Sequence, residues 1–305
     1  MARYILLRIG HGLLTLLVVS VVVFVLSRLS GDPLTLMMDP MATQQDHARE
    51  LTRLGLDRSY PEQYLIFLWN ALGGDLGKSI FYRQPAFGVF LEKLPATLEL
   101  GAAAWLIAIV IAIPVGVLSA VHRGSRFDRL MQVFALAGQS APVFWVGLVL
   151  ILVFAVNLGW LPTSGRGGLR YLVLPSITLG WYASAFLMRI TRSSMLDVLD
   201  ADYIRLARLE GLSERLVIWK YALKNAATSI VTTMGLMLIT LVTGAVVTET
   251  VFAWPGVGRL IVDSIFNRDF PVVQASVTFI SVIVVFVNLL VDVIYAYIDP
   301  RVRFT

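Results

Sequence analysis

The chain has 305 residues, of which 57% are hydrophobic and 15% are charged, and its mean hydropathy is +0.78. A soluble domain carries about 25% charged residues, so this composition excludes a soluble protein and indicates a membrane protein. The chain has no cysteine, which excludes disulfides and thiolate-bound metals. The net charge is +5, but the chain has no soluble domain that could present its basic residues to nucleic acid.

Six stretches are apolar enough to cross about 30 Å of hydrocarbon, which requires about 20 residues in a helix. The expected spans are residues 10–29, 98–121, 131–157, 171–190, 230–252 and 273–298. Between them we expect an external segment at 30–97 with an interfacial helix at 61–72, a cytoplasmic loop at 193–229 and an external turn at 253–272. The predicted fold class is an all-α integral membrane protein, with one transmembrane domain over residues 1–305.

The orientation follows from the basic residues of the short loops. The loops on the side of the termini hold fourteen Lys and Arg, whereas the opposite short loops hold four. Positive loops stay in the cytoplasm, so we expect both termini and the loop at 193–229 to be cytoplasmic. The first apolar run is longer than the roughly 7–15 residues of a signal peptide, which predicts an uncleaved span.

The sequence lacks the motifs required for nucleotide binding, metal binding and hydrolysis. The sequence ALGGDLGKS at 71–79 resembles a phosphate-binding loop, but Leu72 stands where that pattern requires glycine. His11, His47 and His122 lack the spacing of metal ligands. No zinc-protease or nucleophile-elbow motif is present. We therefore expect neither an enzyme nor a metal site.

Three carboxylates lie in or beside predicted spans, namely Glu99, Glu249 and Asp292. Carboxylates are costly in a membrane and often functional, so a carrier that works alone on an ion gradient is an alternative function. The competing interpretation is that neighbouring Ser, Thr or Asn side chains, or water at the span ends, satisfy them.

A charged, basic stretch interrupts the apolar sequence at 202–226 and reads DYIRLARLEGLSERLVIWKYALKNA. Asp202 suits a helix N-cap, Gly211 suits a helix stop and Ser213 suits a new start. The stretch therefore predicts two short helices joined at a glycine. Ala207 lies four residues before Gly211, so both share a face that could approach a partner surface closely.

Arg205 and Arg208 lie three residues apart on another face of the same predicted helix. They could pair with acids on a partner protein. A surface helix that rests on anionic lipid headgroups would have the same composition. The residues alone leave both interpretations open.

This stretch resembles the cytoplasmic coupling loop of ABC importer permeases, whose pattern is E-A-A, three residues, G, nine residues and I-x-L-P. Ala207, Gly211 and Leu223 match that pattern, while Arg205 and Leu206 replace its E-A. These departures are the form that the loop takes in the dipeptide/oligopeptide branch. Other segments resemble that branch in the same order: SGDP at 30–33, LGLDRSYPEQY at 54–64, GDLGKS at 74–79, LPATLELG at 94–101, RITRSSML at 189–196, ETVFAWPGVGRLIVDSI at 249–265, RDFPVVQ at 268–274 and NLLVDVIYAYIDPRVR at 288–303.

The resemblance implies the type I permease fold and a pore-forming subunit that imports peptides or peptide-like solutes across the bacterial inner membrane. It also implies a second homologous permease, two ATP-binding subunits that hold ATP and Mg²⁺, and an external substrate-binding protein. This chain would bind no cofactor itself. The residues expected to couple it to the ATPase are Asp202, Tyr203, Arg205, Ala207, Arg208, Gly211, Leu212 and Ser213.

Two further sets of residues are candidates for the transport pathway. The first set could line the pathway with polar groups, or its side chains could only stabilise contacts between helices. It consists of Gln139, Ser140, Thr232, Thr240 and Thr243. The second would cap the outer end of the pathway, and it consists of Trp254, Pro255, Gly256 and Gly258.

Overall fold

The computed structural model describes residues 2–29, 52 and 57–298. Within these residues the regular structure is helical, and extended backbone pairs only in an isolated antiparallel bridge between Lys78 and Pro85. The predicted all-α class is confirmed. In chain order the helices are α1 Ala2–Leu29, α2 Tyr60–Leu72, α3 Ala86–Val121, α4 Arg126–Ser140, α5 Val143–Leu150, α6 Leu169–Leu199, α7 Asp202–Leu209, α8 Glu214–Leu216, α9 Leu223–Val251, α10 Val257–Phe266 and α11 Phe270–Ile298.

Four of the described helices are long and apolar enough to cross a membrane, namely Leu6–Leu29 of α1, α3, α6 and Phe270–Val291 of α11. The pair formed by Arg126–Ser140 and Val143–Asn157 makes a fifth if it is counted as one bent span. Helix α9 lies over the remaining predicted span. The six-span topology stays a prediction.

The expected third span is broken rather than continuous. Its two halves meet at an angle of 108°, and Ala141 between them has an extended backbone. Pro142 explains the break, because a proline disfavours helical backbone at the residue before it and supplies no N–H to the preceding turn. Beyond the break, α5 continues as a π-helical segment, Ile151–Asn157.

The connection predicted at 193–229 is largely helical. Helix α6 continues to Leu199, and the chain is helical again from Glu214, where α8, the π-helical segment Val217–Ala222 and α9 follow without a break. No glycine or proline occurs at 181–199 or 212–234, so neither residue type interrupts these helices. The prediction of a second short helix is therefore wrong.

The chain forms two compact units, and the larger comprises Ala96–Pro255 and Leu290–Thr305. Its core contains a stripe of mostly small residues that recur every four positions on α3 and are all buried: Ala96, Leu100, Ala104, Ala108 and Ala112. A Cβ on Gly180 of α6 would lie 3.0 Å from the Ala104 carbonyl oxygen. Small residues of this kind let the backbones of α3 and α6 approach closely.

The other unit comprises Met1–Pro95 and Gly256–Leu289. Its buried carboxylate, Asp269, accepts hydrogen bonds from the Ser79 hydroxyl and from the backbone N–H groups of Ile80 and Phe81. This contact joins the GDLGKS segment to the RDFPVVQ segment, which lie about 190 residues apart in sequence. The helix predicted at 61–72 is present as α2, and its position at the membrane interface stays a prediction.

Candidate coupling site

Helix α7 and the turn after it form a hairpin between α6 and α8. The helix begins at Asp202, and its N-cap is Ala201, which has extended backbone. The prediction that Asp202 is the N-cap is therefore wrong by one residue. The Asp202 carboxylate lies in the first turn instead, where it favours the positive end of the helix dipole.

Gly211 ends α7, as predicted. Its φ is +81°, and the backbone N–H groups of Gly211 and Leu212 donate to the carbonyls of Arg208 and Ala207 at 3.0 and 3.3 Å. This is the Schellman arrangement, in which the left-handed residue is usually glycine. A Cβ added to Gly211 would meet no atom within 4 Å. Within this chain the glycine is required by backbone conformation and not by packing.

One face of α7 is buried in the core of the chain. Ile204 is fully buried, and Ala207 is nearly so. Both belong to the cluster that contains Met195 of α6 and Val217 and Ala222 of the segment after α8. The expectation that Ala207 faces a partner is wrong, since its methyl group packs inside its own chain. The same packing fixes the hairpin to the helices on both sides of it.

The opposite face of α7 is apolar and exposed. Tyr203, Leu206 and Leu209, at successive spacings of three, are 45, 56 and 85% exposed. The sequence predicts an apolar edge at Leu206, Leu209 and Leu212, but of the three exposed side chains only Tyr203 was counted among the coupling residues. We call these three side chains the exposed edge of α7.

The charged side chains of the hairpin pair mainly with one another. The Arg208 guanidinium donates to both carboxylate oxygens of Glu214, at 2.9 and 3.4 Å, and so joins the two sides of the glycine turn. Arg205 lies 3.4 Å from Asp202 on its own helix. Ser213 has extended backbone and precedes α8 as expected, without a side-chain capping bond.

A buried ion pair lies at the same end of α6 as the hairpin. Asp128 of α4 is 1% exposed and accepts two bonds from the Arg192 guanidinium, at 2.7 and 2.8 Å. It also accepts bonds from the Ser119 hydroxyl and the Gly124 N–H, and the Ser125 hydroxyl caps α4. This network ties α3, α4 and α6 together. Sequence reasoning missed it.

The candidate lining residues lie on two helices. On α4, the Gln139 carbonyl accepts a 2.9 Å bond from Arg189 of α6, and Ser140 is exposed. On α9, Thr232 and Thr240 donate to backbone carbonyls four residues earlier in the same helix. The Thr243 side chain lies outside the described residues. Their role in a pathway stays a prediction.

The candidate outer turn is anchored by its tryptophan. Trp254 is fully buried, and its indole N–H donates to the Ala96 carbonyl at 2.8 Å. The Arg166 guanidinium lies 5.9 Å from the Trp254 ring centroid and pairs with Glu99. The turn continues through Pro255 to Gly256, the N-cap of α10, and Gly258 is buried in that helix. The Trp254 side chain therefore packs in its own chain and does not project into an opening.

Of the two remaining carboxylates in predicted spans, the structure describes the side chain of Glu249 but not that of Asp292. Glu249 is fully buried and accepts a 2.6 Å bond from the Thr97 hydroxyl, which fits the interpretation that neighbouring hydroxyls satisfy it. The Asp292 side chain lies outside the described residues. Within the described residues, no three His, Asp or Glu side chains lie close enough to hold a metal ion.

Two family models match the sequence. The one described as "Binding-protein-dependent transport system inner membrane component" covers residues 112–304, and the corresponding N-terminal model covers residues 1–101. Curated relatives match over nearly the full length. The di/tripeptide transport system permease protein DppB of Pseudomonas aeruginosa is 40% identical, with 99% of both chains covered. The oligopeptide permease protein AppB of Bacillus subtilis and the glutathione permease protein GsiC of Escherichia coli are each 41% identical, with 100% of both chains covered.

Solved structures of lower identity share the fold. A chain of the MetNI methionine ABC transporter, in an inward-facing conformation, superposes with a TM-score of 0.57 at 20% identity, over 69% of this chain and 96% of that chain. A chain of an amino acid ABC transporter with histidines gives a TM-score of 0.54 at 16% identity, over 69% and 94%.

Proposed function

Because this chain belongs to the family of binding-protein-dependent transport system inner membrane components, we propose that α7 receives the force that drives its transport cycle. The chain is a multi-pass permease subunit of an ABC importer, and it acts with ATPase and substrate-binding partners. It has the type I permease fold. The alternative of a carrier that works alone on an ion gradient is not supported by this family.

The proposed assembly has one transport pathway and two subunits that hydrolyse ATP. This permease and a second homologous permease form the pathway, and two cytoplasmic ATP-binding subunits carry out the hydrolysis with their own ATP and Mg²⁺. An external substrate-binding protein delivers the solute. Both termini and the hairpin are cytoplasmic, which the distribution of basic residues supports.

The proposed solutes are peptides or peptide-like molecules. The full-length relatives are named for di/tripeptide, oligopeptide and glutathione transport, which supports this class and not one member of it. The pathway would be lined by the candidates on α4 and α9, whose amide and hydroxyl groups can form hydrogen bonds with a peptide backbone.

The observation that carries the coupling role is the exposed edge of α7. Tyr203, Leu206 and Leu209 project from a helix in the charged connection between two long apolar helices. Exposed apolar patches with polar rims are typical of protein interaction sites, and a helix that presents side chains at this spacing fits into a groove of its partner. We infer that the groove belongs to an ATP-binding subunit.

Transmission requires that the hairpin move as one body with the spans. Ile204 and Ala207 fix α7 into the core that also holds α6 and the start of the α8–α9 run, and the Arg208–Glu214 pair closes the turn. Movement of the ATPases would therefore displace both long helices together. A rigid-body shift of this kind supports alternating access, with each state favoured by different contacts with the partners.

The test is a polar substitution on the exposed edge. We expect Leu206→Glu to reduce copurification of the ATP-binding subunit with the permease and to reduce ATP-dependent peptide uptake in proteoliposomes by about thirtyfold, as for loss of an interface hot spot. The matched control is Leu169→Glu, at an exposed leucine on the first turn of α6, away from the hairpin. The control should retain both activities.

Two results would contradict the proposal. Normal copurification and normal uptake by Leu206→Glu would show that the exposed edge of α7 does not contact the ATPase. Uptake by the purified permease alone, driven by a proton or sodium gradient in the absence of ATP, would instead support the independent carrier.

A further inference from the structure

A groove between α4 and α6 lies at the end of these helices nearest the hairpin. Its volume is about 730 Å³. The middle of α4 supplies one wall, from Arg129 to Leu136, and the last third of α6 supplies the other, from Arg189 to Ser193. We call it the arginine groove, after Arg129, Arg189 and Arg192.

The groove carries positive charge that no carboxylate of the described residues balances. Arg192 is neutralised by its two bonds to Asp128. Arg189 donates only to an uncharged partner, the Gln139 amide. Among the residues that the structure describes, no carboxylate forms an ion pair with Arg129 or Arg189. Two guanidinium groups in one groove favour an anionic ligand that accepts several hydrogen bonds, such as a phosphate.

The same face of α4 changes from basic to apolar along the helix. Arg129, Gln132, Val133 and Leu136 share one face, because they lie at spacings of three, four and seven. Val133 and Leu136 are 64 and 62% exposed. Arg129 and Leu136 are separated by about 10 Å along the helix axis at 1.5 Å per residue. The groove therefore offers a site for an anionic head next to a strip for an apolar tail.

We infer that the arginine groove binds an anionic glycerophospholipid of the leaflet on the hairpin side. The lipid phosphate binds Arg129 and the second N–H of the Gln132 amide, whose other N–H donates to Asp128, and Arg189 reaches it by exchanging its bond to Gln139. An acyl chain lies along Val133 and Leu136. A basic pocket between spanning helices is a known form of headgroup recognition. A peptide carboxylate matches the charge but does not require the apolar strip. The site is separate from the exposed edge of α7. It adjoins Gln139, a candidate lining residue that Arg189 contacts, so the experiment includes a peptide competitor.

The experiment uses the assembled importer, purified in detergent and depleted of lipid. Native mass spectrometry measures the binding of added phosphatidylglycerol and, separately, of phosphatidylcholine with the same acyl chains. We expect the wild type to bind phosphatidylglycerol more tightly. The double variant Arg129→Gln/Arg189→Gln should lose about thirtyfold in affinity for it, since each basic residue near the membrane surface contributes about fivefold to binding of an anionic lipid. Binding of phosphatidylcholine should not change.

Two control variants separate the groove from general charge and from folding. Arg126→Gln removes a positive charge one turn before Arg129 without touching the groove, and it should lose less than threefold. Arg129→Lys/Arg189→Lys keeps the charges and should retain most of the affinity.

The inference is overturned if the wild type shows no preference for phosphatidylglycerol, or if Arg126→Gln loses as much affinity as the double glutamine variant. It is also overturned if a dipeptide with a free carboxylate displaces the lipid, because the groove would then belong to the transported solute.

Discussion

Substitutions at Gly211 can distinguish an effect on the folding of the hairpin from an effect on its contact with a partner. Its left-handed backbone makes any L side chain unfavourable, by about 1 kcal/mol. A Cβ there would meet no atom within 4 Å, so the size of the side chain has no steric consequence within this chain. We therefore expect Gly211→Ala and Gly211→Trp to lower the free energy of unfolding of the isolated permease equally, to within about 0.5 kcal/mol. Gly211→Asn should lose less, because asparagine tolerates this conformation.

In the assembled importer the two variants should differ. If an ATP-binding subunit covers the end of α7, the indole must displace partner atoms at Gly211, whereas the alanine methyl group adds little volume. We expect peptide uptake and substrate-stimulated ATP hydrolysis of Gly211→Trp to be at least about tenfold below those of Gly211→Ala, the effect of roughly 1.4 kcal/mol. Both are measured in proteoliposomes with the binding protein present. Equal uptake by the two variants, with equal stability, would refute the argument that this surface is covered.

Three other contacts give separate predictions. Asp128→Asn should destabilise the permease by about 3–5 kcal/mol because it leaves the partly buried Arg192 guanidinium without its counter-charge. The exposed control Asp200→Asn should change the stability by less than about 1 kcal/mol. Thermal unfolding in detergent compares the two variants. Arg208→Gln should cost less than about 1 kcal/mol, since both partners of its pair are substantially exposed, and a larger loss in the same assay would contradict this. Asp269→Asn weakens the contact with Ser79 and should increase protease cleavage near residues 79–83, and unchanged cleavage would contradict it.

The start and stop signals of the hairpin were predictable because they depend on local backbone chemistry. A glycine after a run of helix formers ends a helix in the left-handed conformation, and Gly211 does so. Ser213 precedes the next helix for a similar reason. Asp202 was misplaced by one residue, since an aspartate favours both the N-cap and the first turn and only the backbone distinguishes them.

The inner face of α7 was not predictable by the same reasoning. Ala207 suits a close approach to any surface, and a sequence does not say whether that surface belongs to a partner or to the chain itself. Its neighbour Ile204 gave a signal, because a β-branched apolar residue three positions away on the same face is typical of a core. Apolar windows predict spans and not helix ends, and α6 continues past its predicted span to Leu199.

The Asp128–Arg192 pair could not be predicted because its two residues are distant in sequence. Its two members lie 64 residues apart, and neither residue type has a preferred partner at any fixed spacing. The pair forms because α4 and α6 pack together around Gly138, where a Cβ would lie 2.9 Å from that of Ala185. Only the tertiary arrangement of the helices brings these charges into contact.

The division of α7 into two faces explains how a helix of eight residues can act on long ones. Leu206 and Leu209 are free to enter a partner's groove because Ile204 and Ala207 already satisfy the packing of the helix within its own chain. If both faces were exposed, a displacement of the ATPase would be absorbed by rotation about the backbone on either side of α7. Close-packed interiors deform little under load, so with one face buried a displacement at α7 would reach α6 and α9. The proposed coupling role therefore depends on the buried face as much as on the exposed edge.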